Sequence, residues 1–376
     1  MKKLQMVDLI SQYEKIQDEV DKAVLDVIRS SAYINGPEVK EFQKELEDYL
    51  DVKHVIPCAN GTDALQVAMM ALDLQPGDEV ITATFTYVAT AEVIALLKLT
   101  PVLVDVDEDT FCLDPEQVKA AITPKTKAIV PVHLFGQCSD MDAIMDIAKE
   151  HDLYVIEDTA QAIGAEYTFT NGTKAKAGTI GHIGATSFFP SKNLGCYGDG
   201  GAIFTNDDDL AAQLRKVANH GQSKRYYHDE VGVNSRLDSI QAAVLRKKLP
   251  YLDTYNAARR SAADYYNSAF AGHPNLKVPV ISGNSTHVFH QYTLQLIDVD
   301  REGLIDYLNS KDIPAMIYYP VALHMQEAYK DDRYGRGHFP VTERLVEAVM
   351  SLPMHSEMDE EQLKYITSSV LDYLNN

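Results

Sequence analysis

The chain has 376 residues, 45% of them hydrophobic and 24% charged, which are ordinary values for a globular protein. It contains no apolar run of about 18 residues and no secretory signal pattern at its start, so we expect a cytoplasmic protein without a membrane span. The net charge of −21 argues against general nucleic-acid binding, although an acidic protein can hold an anionic small ligand in a locally positive site. Its four cysteines stand far apart and without metal-ligand spacing, which predicts free thiols and no metal site.

Short apolar segments alternate with helical patterns between about residues 54 and 205, and most of these segments are nearly continuous apolar runs. Strands that are buried on both faces have this character, so the pattern predicts an α/β fold with a mostly parallel, seven-stranded sheet flanked by helices. The predicted strands are 54–58, 79–83, 101–106, 128–134, 153–158, 185–189 and 201–205. The first 50 residues are predicted to form helices that pack on the rest of the protein or on a partner.

The pattern changes after Asn206. A helix is predicted from about Asn206 or Asp207 to Gly221, and a long helical pattern, kinked at Pro250, from about Ser235 to Phe270. The remainder mixes strand and helix, with a strand at 289–297 and helices at 301–310, 341–350 and 359–374. We therefore predict a large domain over residues 1–250, which includes the N-terminal helices, and a smaller α+β domain over residues 251–376.

Ligands of parallel sheets bind at the carboxyl ends of the strands, which directs attention to the residues that follow each one. The segment 60–63, Asn-Gly-Thr-Asp, joins the first strand to a helix. Gly61 would let a ligand approach the backbone, and the free N–H groups of the helix start would bind an anion. The alternative is an ordinary strand-to-helix turn capped by Thr62 or Asp63.

Three further side chains are predicted at the same edge of the sheet. Asp158 ends its strand, where it could serve a ligand or merely cap a helix. Lys192 follows the strand 185–189 and precedes a glycine-rich loop, so it is either an exposed turn lysine or an amine whose pKa is lowered by burial. Tyr87 lies either over a ligand ring or in the first turn of a helix as an ordinary aromatic residue.

One cofactor needs this combination of groups. Pyridoxal 5′-phosphate requires a lysine for covalent attachment, an acid against its ring nitrogen and a cradle for its phosphate. The sequence lacks GxxxxGK[ST], GxGxxG between a strand and a helix, and GxSxG, which disfavours the P-loop, dinucleotide-binding and α/β-hydrolase classes.

Six collinear motifs resemble the DegT/DnrJ/EryC1/StrS family of sugar aminotransferases, which are pyridoxal phosphate enzymes of fold type I. The motifs are CANGTDAL (58–65), FTYVATAE (85–92), VHLFGQ (132–137), IEDTAQAIGA (156–165), SFFPSKNLGCYGDGGAI (187–203) and GVNSRLDSIQAA (232–243). The similarity extends from NGPEVKEF (35–42) to MSLPMH (350–355). One departure is His182, where the family usually has Asp before the strand that leads to the lysine.

The resemblance implies a role for each matching residue. Lys192 and Asp158 would be the catalytic residues, with the cofactor bound covalently to Lys192 and Asp158 paired with the ring nitrogen. The other cofactor-binding residues would be Gly61, Thr62 and Ser187 at the phosphate, Tyr87 over the ring, Gln161 near its phenolic edge, and Asn234, which reaches the cofactor of a neighbouring subunit. A homodimer with shared active sites follows from that last role.

The resemblance also implies the reaction. An amino acid, expected to be L-glutamate, donates its amino group to the 3-keto carbon of a nucleotide-linked sugar for surface polysaccharide biosynthesis, such as lipopolysaccharide O-antigen. The motifs look closest to those of enzymes that aminate UDP-2-acetamido-2-deoxy-3-oxo-glucuronate. Candidate substrate-binding residues are Arg236, Tyr318, Tyr319 and His324.

Three alternatives remain open at this stage. Arg236 could pair with a sugar carboxylate, or it could be a structural arginine at the subunit interface. The substrate could be a dTDP-3-keto-6-deoxyhexose, which has no carboxylate. The chain could also be a non-catalytic regulatory or scaffold protein that keeps only the fold. The sequence does not account for Cys196.

Overall fold

The computed structural model describes residues 3–375. The strands within this range are β1 His54–Cys58, β2 Glu79–Ala83, β3 Thr100–Val104, β4 Thr126–Val130, β5 Tyr154–Asp158, β6 Glu166–Thr168, β7 Lys174–Lys176, β8 Ile183–Ser187, β9 Gly201–Thr205, β10 Gln222–Lys224, β11 Tyr227–His228, β12 Leu276–Lys277, β13 Tyr292–Leu296 and β14 Val349–Leu352.

The α-helices within the same range are α1 Leu9–Glu14, α2 Gln17–Ser30, α3 Pro37–Leu50, α4 Gly61–Ala71, α5 Ala89–Leu96, α6 Pro115–Ala120, α7 Met141–His151, α8 Asp208–Ala218, α9 Ser239–Lys248, α10 Leu252–Phe270, α11 Arg301–Ser310, α12 Pro340–Ala348 and α13 Glu360–Leu374. Short 3-10 turns occur at Leu134–Gly136, Leu249–Tyr251, Leu323–Met325 and Glu327–Tyr329. None of the helices in residues 3–375 is at once long and apolar enough to cross a membrane.

The central sheet has seven strands in the order β1-β9-β8-β5-β4-β2-β3. Neighbouring strands are parallel except at β9, which runs antiparallel to both β1 and β8. The carboxyl ends of the other six strands therefore lie at one edge of the sheet. This arrangement confirms the predicted α/β class with a mostly parallel sheet.

Both faces of the central sheet are covered, which explains why its strands are largely apolar. Along β4, Ile129 belongs to the apolar cluster on one face, whereas Ala128 and Val130 belong to the cluster on the other. Alternate residues of a strand point to opposite faces, so a strand buried on both sides needs an apolar residue at nearly every position.

Several predicted elements have other bounds in the structure, such as strand β4, which ends at Val130 rather than at residue 134. Strand β8 ends at Ser187, two residues before the predicted end, and Phe189 beyond it is 52% exposed. The helix predicted over 341–350 ends at Ala348, and residues 349–352 form β14, which pairs with β13. Long-range pairing overrides local helical preference there, because all four residues of β14 are buried within the second sheet.

A second sheet, β12-β13-β14, is entirely antiparallel and packs with helices α10, α11 and α13. Its apolar core contains Tyr266, Tyr292, Leu304, Met350 and Ile366. The elements after residue 250 thus build a core of their own, in which Leu4 from the N-terminal segment also takes part. The boundary at residue 250 stays a prediction.

Candidate active site

Asp158 is the last residue of β5 and is 8% exposed. The hydroxyl of Thr90 donates to its Oδ2 at 2.9 Å, and the N–H of Ala160 donates to its Oδ1 at 3.1 Å. Burial raises the pKa of this carboxyl, while these two hydrogen bonds and the cation of Lys192 lower it. A carboxylate can accept about four hydrogen bonds, so this one has capacity for a further N–H donor.

Lys192 lies in the loop between β8 and β9, residues 188–200, which we call the lysine loop. Because β9 is antiparallel to β8, this loop leaves and rejoins the sheet at the edge that carries Asp158. Burial lowers the pKa of Lys192 to about 8, and the charge of Asp158 partly opposes that shift. With a pKa of about 8, about a tenth of the amine is uncharged at pH 7, and this uncharged form is the one that can act as a nucleophile or a general base.

Internal hydrogen bonds hold the lysine loop in one shape. The N–H of Lys192 donates to the carbonyl of Phe189 at 2.8 Å, and the N–H of Cys196 donates to the carbonyl of Phe188 at 2.8 Å. The side chain of Asn193 reaches away from the loop and donates to Asn256 Oδ1 at 2.7 Å. The thiol of Cys196 is buried and lies 3.1 Å from the carbonyl of Phe188, so this cysteine closes the base of the loop.

Gly61 and Ser187 form a tight cradle at the start of helix α4. Asn60 caps the helix by accepting the N–H of Asp63 at 2.8 Å, which leaves the earlier N–H groups, those of Gly61 and Thr62, without an intrahelical partner. A Cβ atom on Gly61 would lie 2.7 Å from Cβ of Ser187, so the two backbones approach closely only because residue 61 is glycine. The geometry suits an anion bound by N–H groups and a hydroxyl.

Two tyrosines and an amide form the aromatic side of the candidate site. Tyr87 precedes helix α5, is 57% exposed, and has its ring centroid 6.1 Å from that of Tyr319. The side-chain amide of Gln161 donates to the hydroxyl of Tyr319 at 3.1 Å, and its oxygen accepts the N–H of Phe135 at 2.8 Å. Gln161 is thus fixed on both sides, and Tyr319 is brought next to the predicted cofactor residues.

The other two candidate residues of the 318–324 segment differ in position. Tyr318 is half-buried beside Tyr319, at a centroid distance of 5.9 Å. His324 is buried, with Nδ1 2.8 Å from the hydroxyl of Thr84 and Nε2 3.4 Å from Glu343. Both ring nitrogens of His324 therefore face protein groups, which fasten its segment to the end of β2.

Within the single chain, Asn234 and Arg236 lie apart from the other predicted site residues. Asn234 is exposed and its backbone forms a bridge with Asn219. Arg236 lines a separate cavity of about 280 Å³ together with Lys40 and Arg215. Between them, Ser235 accepts the N–H of Ala59 at 3.1 Å and so ties the segment to the strand end before Gly61.

His182 lies at the opposite end of β8 from the site. Its Nδ1 accepts the N–H of Val155 at 3.0 Å, and its ring contacts Tyr154 edge-on. This departure from the family pattern is therefore remote from Lys192. All four cysteines are unpaired and buried, and no group of three His, Cys, Asp or Glu side chains in residues 3–375 could hold a metal ion.

Sequence reasoning missed Thr90, whose hydroxyl holds Asp158. Thr90 lies in the motif FTYVATAE, shortly after Tyr87, and its position in the first turn of α5, above the sheet edge, was the available signal. Its partner could not be identified from the sequence, because the two residues are 68 positions apart.

The residues present fit pyridoxal 5′-phosphate. The buried carboxylate has room for one more donor, the amine has a lowered pKa, and the Gly61–Ser187 cradle is narrow enough to exclude a Cβ atom. Together with the seven-stranded sheet, they define the chain as a pyridoxal phosphate-dependent transferase of fold type I.

More particularly, the chain belongs to the DegT/DnrJ/EryC1/StrS aminotransferase family, whose model matches residues 14–371. It is 46% identical over 368 residues to UDP-2-acetamido-2-deoxy-3-oxo-D-glucuronate aminotransferase of Pseudomonas aeruginosa, covering 98% of this chain and 99% of that protein. It is 45% identical over 370 residues to a pleiotropic regulatory protein of Geobacillus stearothermophilus, covering 98% of each. A third relative, UDP-N-acetyl-3-dehydro-alpha-D-glucosamine 3-aminotransferase of Acidithiobacillus ferrooxidans, is 43% identical over 365 residues, covering 97% of this chain and 96% of the relative.

Solved structures agree with the fold. DesV of Streptomyces venezuelae superposes with a TM-score of 0.95 at 38% identity, covering 100% of both chains. NtdA of Bacillus subtilis, solved with bound pyridoxamine phosphate, superposes with a TM-score of 0.89 at 30% identity, covering 96% of this chain and 82% of that one. The predicted family, fold, enzyme class and cofactor are confirmed: the protein is a pyridoxal phosphate-dependent aminotransferase.

Proposed function

We propose that this aminotransferase moves the amino group of an amino acid, L-glutamate, to the 3-keto carbon of UDP-2-acetamido-2-deoxy-3-oxo-glucuronate. The observation that carries the reaction type is the amine of Lys192, with its lowered pKa, at the same sheet edge as the buried carboxylate of Asp158. The substrate is supported by the 46% identity, over nearly the whole of both chains, to the Pseudomonas enzyme named for that sugar.

Bound pyridoxal phosphate would supply an electron sink for the carbon that loses its proton. Lys192 would attach it, Asp158 would hold its ring nitrogen, and the helix start at Gly61 and Thr62 together with Ser187 would bind its phosphate. Tyr87 would cover the ring, with Gln161 near its phenolic edge. These assignments are part of the proposal and rest on the geometry of the site and on the family motifs.

Asp158 and Lys192 have different roles in the proton transfers. Thr90 and Ala160 donate to Asp158 and so favour its anionic form, and an anion at this position favours a proton on any nitrogen base that faces it. Lys192, whose pKa is lowered to about 8, can accept a proton as the free amine and return it as the ammonium. Asp158 is buried and Lys192 is half-buried, which limits the water that would otherwise compete for these protons.

The sugar end of the substrate is assigned to Tyr318, Tyr319, His324 and Arg236. Tyr319 is the best placed of these, because its hydroxyl accepts from Gln161 and its ring lies beside Tyr87. Arg236 would pair with the sugar carboxylate through two parallel hydrogen bonds, and its separation from Lys192 within one chain fits a contribution to the site of a second subunit. His324 would act by fastening its segment to Thr84.

We also propose an oligomeric state, a cellular location and a biosynthetic role for this aminotransferase. A homodimer with shared sites is supported by the exposure of Asn234 at the surface of the single chain. A cytoplasmic location is supported by four unpaired cysteines, since thiols persist in reducing compartments. The amino-uronate product would enter surface polysaccharide biosynthesis, such as that of a lipopolysaccharide O-antigen.

The substrate is tested in the reverse direction. The protein is incubated with 2-oxoglutarate and either the UDP-linked 3-amino-uronate or a dTDP-linked 3-amino-6-deoxyhexose, and the absorption band of the bound cofactor and the formation of L-glutamate are followed. Turnover of the uronate alone is expected, and turnover of the deoxyhexose alone would favour the dTDP-sugar alternative.

A matched variant separates the enzyme from a binding protein. Lys192→Ala should show neither the covalent cofactor band nor turnover with any sugar, since it lacks the attaching amine. A wild-type protein that binds the cofactor but turns over neither sugar nor L-glutamate would contradict the proposal and agree with a regulatory role, the function for which the Geobacillus relative is named.

A further inference from the structure

Helix α9 ends in a lysine that the proposed chemistry does not use. Lys248 is 1% exposed, and its Nζ donates to the carbonyl of Gly195 in the lysine loop at 2.6 Å. Its ammonium also lies 5.4 Å from the ring centroid of Tyr197 in the same loop. Among residues 3–375 no carboxylate forms an ion pair with it.

An ammonium in such a place is costly for folding. Removing a charge from water without a counterion disfavours the folded state, and an apolar side chain of similar length would avoid that cost. A buried cation that contacts one carbonyl and one aromatic ring is therefore a poor source of stability. The role of Lys248 must therefore lie in the group to which it is hydrogen-bonded, the carbonyl of Gly195.

The carbonyl that Lys248 holds lies in the part of the loop that sets the position of Lys192. A Cβ atom at Gly195 would lie 2.3 Å from the carbonyl oxygen of Pro190, so the backbone at 195 passes tightly against the residues just before Lys192. The backbone hydrogen bond from Cys196 to Phe188 then closes the loop around Lys192.

A second residue of helix α9 forms hydrogen bonds with the adjoining part of the lysine loop. The side-chain oxygen of Gln241 accepts the N–H of Tyr197 at 2.8 Å, and its amide donates to the carbonyl of Tyr197 at 3.2 Å. Lys248 and Gln241 thus fasten two nearby residues of the loop, Gly195 and Tyr197, to one rigid helix.

We propose that Lys248 is a positioning residue for catalysis: by holding the carbonyl of Gly195, it keeps the amine of Lys192 aligned with the edge that carries Asp158, at the expense of stability. The proposal rests on the aminotransferase reaction and on Lys192 as the attaching amine. It requires neither a particular sugar nor a particular donor.

The test compares Lys248→Met with Lys247→Met, a substitution at the neighbouring half-buried lysine, for which the structure shows no hydrogen bond or ion pair within residues 3–375. Three quantities are measured: the melting temperature of the cofactor-free protein, the rate at which hydroxylamine releases the bound cofactor, and the rate of the first half-reaction with L-glutamate. Lys248→Arg, which keeps a buried cationic donor, is included as the conservative variant.

In Lys248→Met we expect an unchanged or higher melting temperature, together with a half-reaction slowed at least about tenfold per bound cofactor, because a displacement of about 1 Å can cost about a hundredfold. The rate of cofactor release by hydroxylamine should change by at least about threefold, because it also depends on the orientation of the bond between Lys192 and the cofactor. Lys247→Met should match the wild type, and Lys248→Arg should recover part of the half-reaction rate.

A lower melting temperature with unchanged rates per bound cofactor would overturn the proposal, since it would show that Lys248 serves only folding. Unchanged rates with any melting temperature would overturn it as well. A wild-type protein that does not react with L-glutamate would disprove the assigned donor instead, and the position of Lys192 would still be measured by hydroxylamine.

Discussion

Two lysines of this protein have similarly lowered pKa values for the same reason, but their surroundings differ. Burial lowers the pKa of both Lys192 and Lys248 to about 8. Lys192 has the carboxylate of Asp158 within electrostatic reach, whereas Lys248 has the carbonyl of Gly195. The first environment supports proton transfer to and from the amine, and the second supports a fixed cationic hydrogen bond.

At Asp158, replacement by asparagine should remove the negative charge while keeping a side chain of the same size. We expect the half-reaction with L-glutamate to slow by about 10²–10³-fold, because a fixed charge directed at the reacting group contributes an effect of this order. Thr90→Val removes the hydroxyl that donates to Asp158 and should cause a smaller loss in the same direction. Equal rates in Asp158→Asn and the wild type would contradict the role assigned to this carboxylate.

At Lys248, the pH dependence of stability follows from its lowered pKa. Below about pH 8 the amine is charged in both the folded and the unfolded protein, so the cost of burying the charge is fully present. Between about pH 8 and the ordinary value of 10.5 the unfolded chain binds more protons than the folded one, and stability rises with pH.

The free energy of unfolding of the cofactor-free wild type should therefore rise relative to that of Lys248→Met as the pH increases from about 8 to about 10. Urea unfolding at several pH values across and below this range measures the difference, and Lys247→Met serves as the control substitution. A gap between wild type and Lys248→Met that stays the same at every pH would show that the amine is not buried as a cation.

At the scale of elements, the site depends on how closely the ends of strands and helices approach one another. Helix α4 begins against the last residue of β8, and this close approach is possible only because Gly61 has no side chain. An apolar strand followed by Gly and Thr fits either such an anion site or an ordinary strand-to-helix turn, and this segment alone does not decide between them. The distance between Gly61 and Ser187 cannot be predicted in that way, because it depends on the packing of a strand that lies far along the chain, beyond six other strands of the structure.

Gly61→Ala tests this approach. The added Cβ would lie 2.7 Å from Ser187 Cβ, so the helix start or the end of β8 must shift. We expect the dissociation constant of pyridoxal phosphate to increase at least about tenfold, since the phosphate contacts lose their alignment. Gly283→Ala, where an added Cβ would meet no atom within 4 Å, is the control and should bind as the wild type does.

At the scale of the whole molecule, sequence reasoning predicted the central sheet better than the second one. All seven strands of the central sheet were predicted, because strands buried on both faces are apolar along most of their length. Strand β14 was missed, since the short segment VMSL at the end of a helical pattern carries no signal for its distant partner β13. For the site, Lys192 and Asp158 are predicted from the convergence of several groups at one sheet edge and from the family motifs, whereas the hydrogen bonds of Thr90 and Lys248 are visible only in the folded chain.

The proposed sharing of sites between subunits can be tested by mixing two inactive variants. Lys192→Ala lacks the amine, and Asn234→Ala lacks the residue proposed to reach the cofactor of the partner. If Asn234 serves the partner's site, each mixed dimer contains one complete site, and random mixing should restore about a quarter of wild-type activity. Unfolding and refolding the two variants together, with each refolded alone as control, provides the measurement. No gain on mixing would contradict the shared site.

The antiparallel course of β9 has a consequence for how such enzymes can diverge. The connections after β2 and β4 lead into helices before the chain returns to the sheet, so they can lengthen without moving the strands. The connection from β8 to β9 joins two adjacent strands directly, and an insertion there would displace the lysine itself. We therefore expect an insertion between β8 and β9 to disturb the position of Lys192 directly, whereas an insertion in the other connections would leave the path of the chain around the lysine unchanged.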